Sequence, residues 1–260
     1  MAHLFIFGLG YTAKRVRALA EAQGWSVAAT GSAGEVAFND VAAVEGKIAK
    51  ADAVLSSAPP ADGADPVLAR YGKSLTRGRL FYLSSTGVYG DTKGAWVDES
   101  ALTGTGRRTA RSDADAKWLD LGAHVFRLPG IYGPGRSVFE RIEDGRAQRI
   151  DLPGQVFSRI HVDDIARGVM AAMTSEAPPG PYNLADDMPT SQNVLIEHAC
   201  ELMGVTPPPL VTLEEAGLSD MARGFYTENR RVANGKAKRL LGWSPRYPTF
   251  REGLAAIRNA

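Results

Sequence analysis

Between the apolar run His3–Phe7 and an amphipathic stretch from Tyr11 to Gln23 stands the turn Gly8-Leu9-Gly10-Tyr11-Thr12-Ala13. In that strand-to-helix position each residue has a physical use. Gly8 permits the tight turn, Gly10 lets a pyrophosphate approach the backbone, and Ala13 is small enough for the helix to pack on the strand. The amides opening the helix at Tyr11 and Thr12 attract phosphate. A simple glycine-rich connector has the same composition, but the strand before it and the helix after it favour a dinucleotide site.

The first half of the chain repeats this alternation of short apolar runs with longer amphipathic ones. HLFIF, WSVAAT, ADAVLSS, RLFYLSS and AHVFRL read as strands, each almost continuously apolar as when helices cover both faces of a sheet. Helices are expected over Tyr11–Gln23, Ala64–Thr76 and Arg107–Leu121. Gly24 should end the first of these, because glycine tolerates the left-handed geometry just past a helix. After Gly130 prolines cluster in EAPPGPYN and VTPPPLV, and the elements become short. Helices are expected there over Asp164–Thr174, with Asp163 as cap, over Ser191–Met203, with Thr190 as cap, and from Thr249 to the end. The fold class expected is α/β, a Rossmann-type doubly wound parallel sheet with a small C-terminal α/β substrate lobe. Residues 1–130 and part of 155–190 should form the dinucleotide domain, and the remainder of 131–260 the lobe.

Composition narrows the partners. A net charge of +1, with basic residues clustered only in pairs such as Arg107-Arg108, leaves no stripe to follow a nucleic-acid backbone. No apolar run approaches the roughly 20 residues of a membrane span, so a cytoplasmic protein is expected. The single cysteine, Cys200, lies in an apolar helical stretch and reads as core. His3, His124 and His198 have no metal-ligand spacing, so no metal is expected. The chain should act as a monomer or homodimer on a small molecule.

The second strand ends Ala29-Thr30-Gly31-Ser32, without the acidic residue that bonds the ribose of NAD. NADP is therefore favoured slightly over NAD, with Thr30 and Ser32 as hydroxyl contacts. The turn Ala58-Pro59-Pro60 lies at a strand's carboxyl end, where a dinucleotide would cross; a rigid strand exit would look the same.

Five runs then carry a resemblance: LSSTGVYGD (83–91), RLPGIYGPGR (127–136), RIHVDDIA (159–166), YNLADD (182–187) and RRVANGKAKRLLGW (230–243). In this order, over nearly the whole chain, they resemble the extended short-chain dehydrogenase/reductases, which include NAD-dependent epimerases and dehydratases of nucleotide sugars. The resemblance implies that Ser85 bonds the reacting oxygen. It implies that Leu128, Pro129 and Tyr132 wall the nicotinamide, and that Arg136, Arg159, His161, Arg231 and Asn234 lie near substrate.

It also implies a tyrosine four residues before a lysine on the next helix, a pair this chain lacks there. Aligning VDES and Asp115 sets Arg107 and Arg111 in those places, and an arginine cannot exchange a proton near neutral pH. The two arginines would form an anion-gripping fork one helical turn apart, or a solvated face with Arg108 and Asp113. Tyr89 and Lys93 match the tyrosine-lysine spacing, but Gly90 and Asp91 between them indicate a turn. Tyr89 or Tyr132 would then donate the proton. The departure is similar to that of atypical bacterial family members. The expected function is NAD(P)-dependent hydride chemistry on a polar, sugar-related metabolite. The alternative is a dinucleotide-binding sensor that has lost catalysis.

Overall fold

The computed structural model describes residues 1–76, 78–107 and 109–259, so Arg77, Arg108 and Ala260 lie outside it. Its first half alternates as the apolar runs require. β1 (His3–Phe7) leads to α1 (Tyr11–Ala22), β2 (Ser26–Ala29) to α2 (Val41–Ile48), and β3 (Ala53–Ser56) to α3 (Pro66–Tyr71). β4 (Arg79–Ser85) leads, past β5 (Trp96–Val97), to α4 (Thr109–Asp120) and then β6 (His124–Leu128). Next come β7 (Gly130–Tyr132), α5 (Val138–Glu143), β8 (Arg149–Ile150), β9 (Arg159–His161), α6 (Val162–Thr174), β10 (Gly180–Asn183) and α7 (Gln192–Met203). The chain closes through β11 (Leu210–Val211), α8 (Asp220–Arg223), β12 (Arg231–Val232), α9 (Gly235–Leu241) and α10 (Phe250–Arg258).

Six strands form one parallel sheet in the order β2-β1-β3-β4-β6-β10, a Rossmann-type α/β fold. Successive side chains of a strand point to opposite faces, and β1 shows the result. Leu4 and Ile6 join a core with α1 and α6 through Val16 and Val169. Phe5 and Phe7 join the opposite core with Val44, Tyr71 and Trp118. Each such fully buried side chain contributes roughly 1.5–3 kcal/mol relative to exposure. A third cluster lies beyond the sheet, where Phe139, Ile196 and Leu254 bring α5, α7 and α10 together. From β1 the chain goes outward to β2 and then returns to β3 on the other side. That reversal opens a crevice at the carboxyl ends of β1 and β3.

Local chemistry sets the helix ends, and it corrects several expectations. Gly24 has φ +81°, just past α1 as expected. The helix expected over Ala64–Thr76 is shorter, because Asp65 caps it only at Pro66 by accepting from the Val67 and Leu68 amides at 2.9 Å. α7 is capped by Ser191 rather than Thr190, whose backbone is committed to a bridge with Phe157. α6 is capped not by Asp163 but by His161, whose Nδ1 accepts from the Asp163 amide at 3.2 Å. α2, which begins at the cap Asp40, and the edge strand β10, which contains Gly180 and Pro181, had no expectation attached to them. Among the described residues no helix is long and apolar enough to cross a membrane.

Candidate functional site

A cavity of about 550 Å³ opens at the carboxyl ends of the central strands. One end lies against Gly10, Tyr11 and Thr12 at the start of α1, its floor includes Ser57 after β3, Leu83–Ser85 of β4 and Thr86 just beyond it, and Leu128 ends β6 beside Pro129. At the α1 corner Gly8 has φ +85° and Gly10 is extended, and no side chain caps the helix. A β-carbon at Gly8 would come to 3.3 Å from the Ala58 amide, whereas one at Gly10 would meet nothing within 4 Å. Gly8 is thus needed for the backbone turn, and Gly10 leaves room beside the helix amides. Ala13 is fully buried, as its packing role requires.

Several expected cofactor contacts fall elsewhere. Thr30 is 1% exposed, and its hydroxyl accepts from the Gly8 amide at 3.2 Å while its carbonyl accepts from Leu9 at 2.8 Å. It braces the glycine turn instead of facing a ligand, and Ser32 is the exposed hydroxyl after β2. Ala58, just after β3, packs beside Gly8, and of the segment 57–60 it is Ser57, not Ala58, Pro59 or Pro60, that lines the cavity. Arg136, expected near substrate, stands over the Tyr11 ring at 5.7 Å. Tyr11 donates to Pro134 O at 3.1 Å, and this docks the Gly133–Arg136 loop on the start of α1. Arg136 therefore belongs to the phosphate-attracting end of the cavity.

At the end of β4, Ser85 lines the cavity and its Oγ accepts from the Gly87 amide at 3.1 Å, capping a single 3-10 turn at Thr86–Tyr89. Its hydroxyl proton stays free to donate. Arg111 also reaches the cavity, donating to Tyr82 Oη at 2.9 Å and, more weakly, to Leu83 O at 3.4 Å. Arg107 precedes α4 instead of lying a turn below Arg111. It stands 5.0 Å from the Phe225 ring and 3.9 Å from Glu228. The expected fork does not form, because Arg107 lies outside the helix with its guanidinium held at Phe225 and Glu228.

Behind Ser85 runs a buried polar network. Ser84 donates to Asp115 at 2.6 Å, Asp115 pairs with Arg127 at 2.8 Å, and Arg127 donates to Tyr89 Oη at 3.1 Å. Tyr89 in turn donates to Asn183 Oδ1 at 2.8 Å. Tyr89 is thus committed inside the protein, away from the cavity lining, and burial pushes its pKa up. Lys93 follows a turn with Gly90 at φ +65°, so Tyr89 and Lys93 share no helix. Tyr132 is also outside the cavity lining. It is 8% exposed, packed against Gly253 of α10, and burial raises its pKa strongly. Neither tyrosine is placed as the expected proton donor, since each points into a core.

His161 is buried between Tyr132 and Tyr247, with ring centroids at 5.2 and 4.3 Å, and burial lowers its pKa. It is a helix cap and not a group at the cavity mouth. Arg159 does reach the cavity but is tied to Phe157 O, Thr190 O, Ser191 O and Gln192 Oε1, and burial lowers its pKa to about 10. Arg231 donates to Gly94 O, and Asn234 donates to Ala185 O at 2.8 Å and Asp187 at 2.7 Å, so both hold loops together. The neighbour Arg230 lines the cavity instead, together with Val232. Of the pair, Arg230 and not the expected Arg231 faces the cavity. Arg230, just before β12, and Val232 within it line the cavity while Arg231 between them does not, and that alternation is the signal that distinguishes the two arginines. Phe157, Gln192, Phe225 and Glu228 also line the cavity and had no sequence signal.

Asp186, 1% exposed, leaves Oδ2 without a hydrogen-bond partner, and burial pushes its carboxyl from 3.8 up to about 7. The folded state then holds this proton to higher pH than the unfolded chain does. The associated stability is fully present below about pH 4 and is lost as pH rises towards 7, by up to about 4 kcal/mol. Asp186→Asn should flatten that part of the stability profile, as measured by urea unfolding at pH 5, 6, 7 and 8. A profile equally steep in the variant would show that other groups cause it.

No family model matches the chain. The structure of a functionally unknown conserved protein from Silicibacter pomeroyi is similar over 100% of this chain and 99% of that one, with 39% identity and a TM-score of 0.88. A human epimerase family protein solved with NADPH has a TM-score of 0.79 at 15% identity, covering 99% of each chain. By sequence, a 3-diazoavenalumate denitrifying reductase from Streptomyces is 32% identical over 164 residues, 56% of this chain and 52% of the relative. The chain thus spans about half the length of that curated relative.

Proposed function

Since this chain has the extended short-chain dehydrogenase/reductase fold of the NAD-dependent epimerase/dehydratase type, and belongs to one family with the Silicibacter pomeroyi protein, we propose that it is an NAD(P)-dependent oxidoreductase. The observation that carries the reading is the continuity of the cavity, from the uncapped start of α1 to the Ser85 hydroxyl at the end of β4. A nicotinamide coenzyme bound there would supply or accept a hydride. The α1 amides and Arg136 hold its diphosphate, and Leu128 and Pro129 exclude water beside the ring. Ser85 holds the oxygen of a polar carbonyl or alcohol, donating its free proton while the Gly87 amide fixes the hydroxyl. The reductase name of the Streptomyces relative supports oxidoreductase chemistry. The strand end Ala29-Thr30-Gly31-Ser32, which has an exposed Ser32 and no acidic residue, supports NADP over NAD.

A second reading, a dinucleotide-binding sensor, is favoured by one observation. Among the described residues lining the cavity the single tyrosine is Tyr11, whose hydroxyl donates to Pro134 O. Fluorescence titration with NADPH and NADH, followed by turnover assays over a panel of carbonyl compounds and sugars, separates the readings. Saturable binding with turnover supports the enzyme, binding without turnover across the panel supports the sensor, and no binding of either coenzyme removes both. In the enzyme, Ser85→Ala should lower kcat by about a hundredfold. Tyr89→Phe and Tyr132→Phe should leave kcat within about twofold, since neither hydroxyl reaches the cavity. A large kcat loss in either phenylalanine variant would restore that tyrosine as the acid.

A further inference from the structure

Arg230, like Arg111, is held in the cavity through its Nη1 alone, but its partners include a carboxylate. Its Nη1 donates to Gly90 O at 2.6 Å and to Glu228 Oε2 at 3.0 Å, which fixes the plane of the guanidinium. Nε and Nη2 have no hydrogen-bond partner among the described residues. Those two nitrogens form the edge that grips a carboxylate side-on through two parallel N–H bonds. The edge lies near the candidate reaction centre. A β-carbon placed on Gly87 would be 3.3 Å from Ser85 Oγ and 4.0 Å from Arg230 Nη2, so both groups border one small volume. By contrast, Arg159 has both terminal nitrogens committed to backbone and Gln192 acceptors, and Arg136 lies at the Tyr11 end.

Charge and shape agree with this geometry. Glu228 serves two cations: its Oε1 accepts from the Arg107 amide at 3.1 Å with the Arg107 guanidinium at 3.9 Å, and its Oε2 pairs with Arg230. Glu228 is thus shared between two guanidiniums, with Asp91 and Lys93 as the further charges near Arg230, in a partly buried place where Arg230 is only 16% exposed. The walls beside it are apolar: Val156, Phe157, Phe225 and Val232. A hydrated phosphate gains little from such walls, whereas a carboxylate on a flat apolar body matches both the fork and the walls.

We propose that Arg230 is the anchor for a substrate carboxylate carried on an apolar body, so that the site takes anionic carbonyl compounds and presents their reacting oxygen to Ser85. This rests on the oxidoreductase reading of the cavity, and the test separates the two. Protein saturated with NADP is titrated calorimetrically with trans-cinnamate, trans-cinnamamide and phenyl phosphate, while NADPH affinity is measured by fluorescence for every variant. The parent should bind cinnamate at least about tenfold more tightly than cinnamamide. Arg230→Gln should weaken cinnamate about 30-fold and erase that preference, with NADPH affinity unchanged. Arg230→Lys, which keeps the charge but not the fork, should fall between them, and Arg231→Gln should match the parent. Absent cinnamate binding, equal affinity for acid and amide, preference for phenyl phosphate, or an Arg230→Gln variant that still prefers the acid would each overturn the assignment. Should NADPH fail to bind the parent, the coenzyme reading falls, while cinnamate titration of the protein without coenzyme still decides the role of Arg230.

Discussion

A Gly10→Val variant is expected to lose nicotinamide-coenzyme affinity by at least about a hundredfold while melting within about 2 °C of the parent. The two halves of this result have separate causes. Gly10 has φ −85° and ψ −165°, a conformation valine adopts readily, and a β-carbon there meets nothing within 4 Å. Folding should therefore be almost indifferent to the change. Binding should not be, because the isopropyl group would fill the space beside the uncapped α1 amides, where a diphosphate gains its charge-assisted hydrogen bonds. Gly8→Val is the informative contrast. With φ +85° and the Ala58 amide 3.3 Å from its β-carbon position, Gly8 should lose stability as well as binding. Thermal melting and coenzyme fluorescence on both variants check this. Retained affinity in Gly10→Val would place the coenzyme elsewhere.

Asp115→Ala is expected to lower the unfolding free energy by about 3–5 kcal/mol, a large share of what a domain has. Asp115 and Arg127 are only 2% and 3% exposed, and the carboxylate accepts from Ser84 and from two nitrogens of Arg127. Removing it leaves a buried guanidinium without its counter-charge, and water cannot reach to compensate. Replacing both partners, Asp115→Leu with Arg127→Met, should recover most of the loss, because two apolar groups of similar volume leave no charge behind. Urea unfolding of the single and double variants measures both changes. A single variant within 1 kcal/mol of the parent would show that the pair contributes little beyond its packing.

The parts of this protein legible in its residues are those governed by near neighbours. Nearly continuous apolar runs placed β1, β2, β3, β4 and β6, a glycine pattern placed the turn before α1, and Gly24 marked where that helix stops. The LSSTGVYG run likewise placed Ser85 at a strand's carboxyl end, where the structure has it lining the cavity. The errors share a cause. Tyr89, Tyr132, His161, Arg231 and Asn234 carry groups that could do chemistry, and each has a partner or a core position supplied by a segment distant in sequence. Arg107 missed its fork because it lies outside α4, held at Phe225 and Glu228.

Residue type and spacing thus determined which segments become strands and helices and where a phosphate-attracting turn forms, since those depend on backbone sterics and on side-chain periodicity within a few residues. Which hydroxyls and guanidiniums remain free to meet a ligand was decided only by tertiary packing. Arg159 is tied to carbonyls of the loop before α7, while Arg230 keeps one edge open because Glu228 and Gly90 occupy the other. A polar group's availability is what remains after its neighbours in space have bonded it, and many of those neighbours, such as Gly90 for Arg230 and Thr190 for Arg159, come from distant parts of the chain.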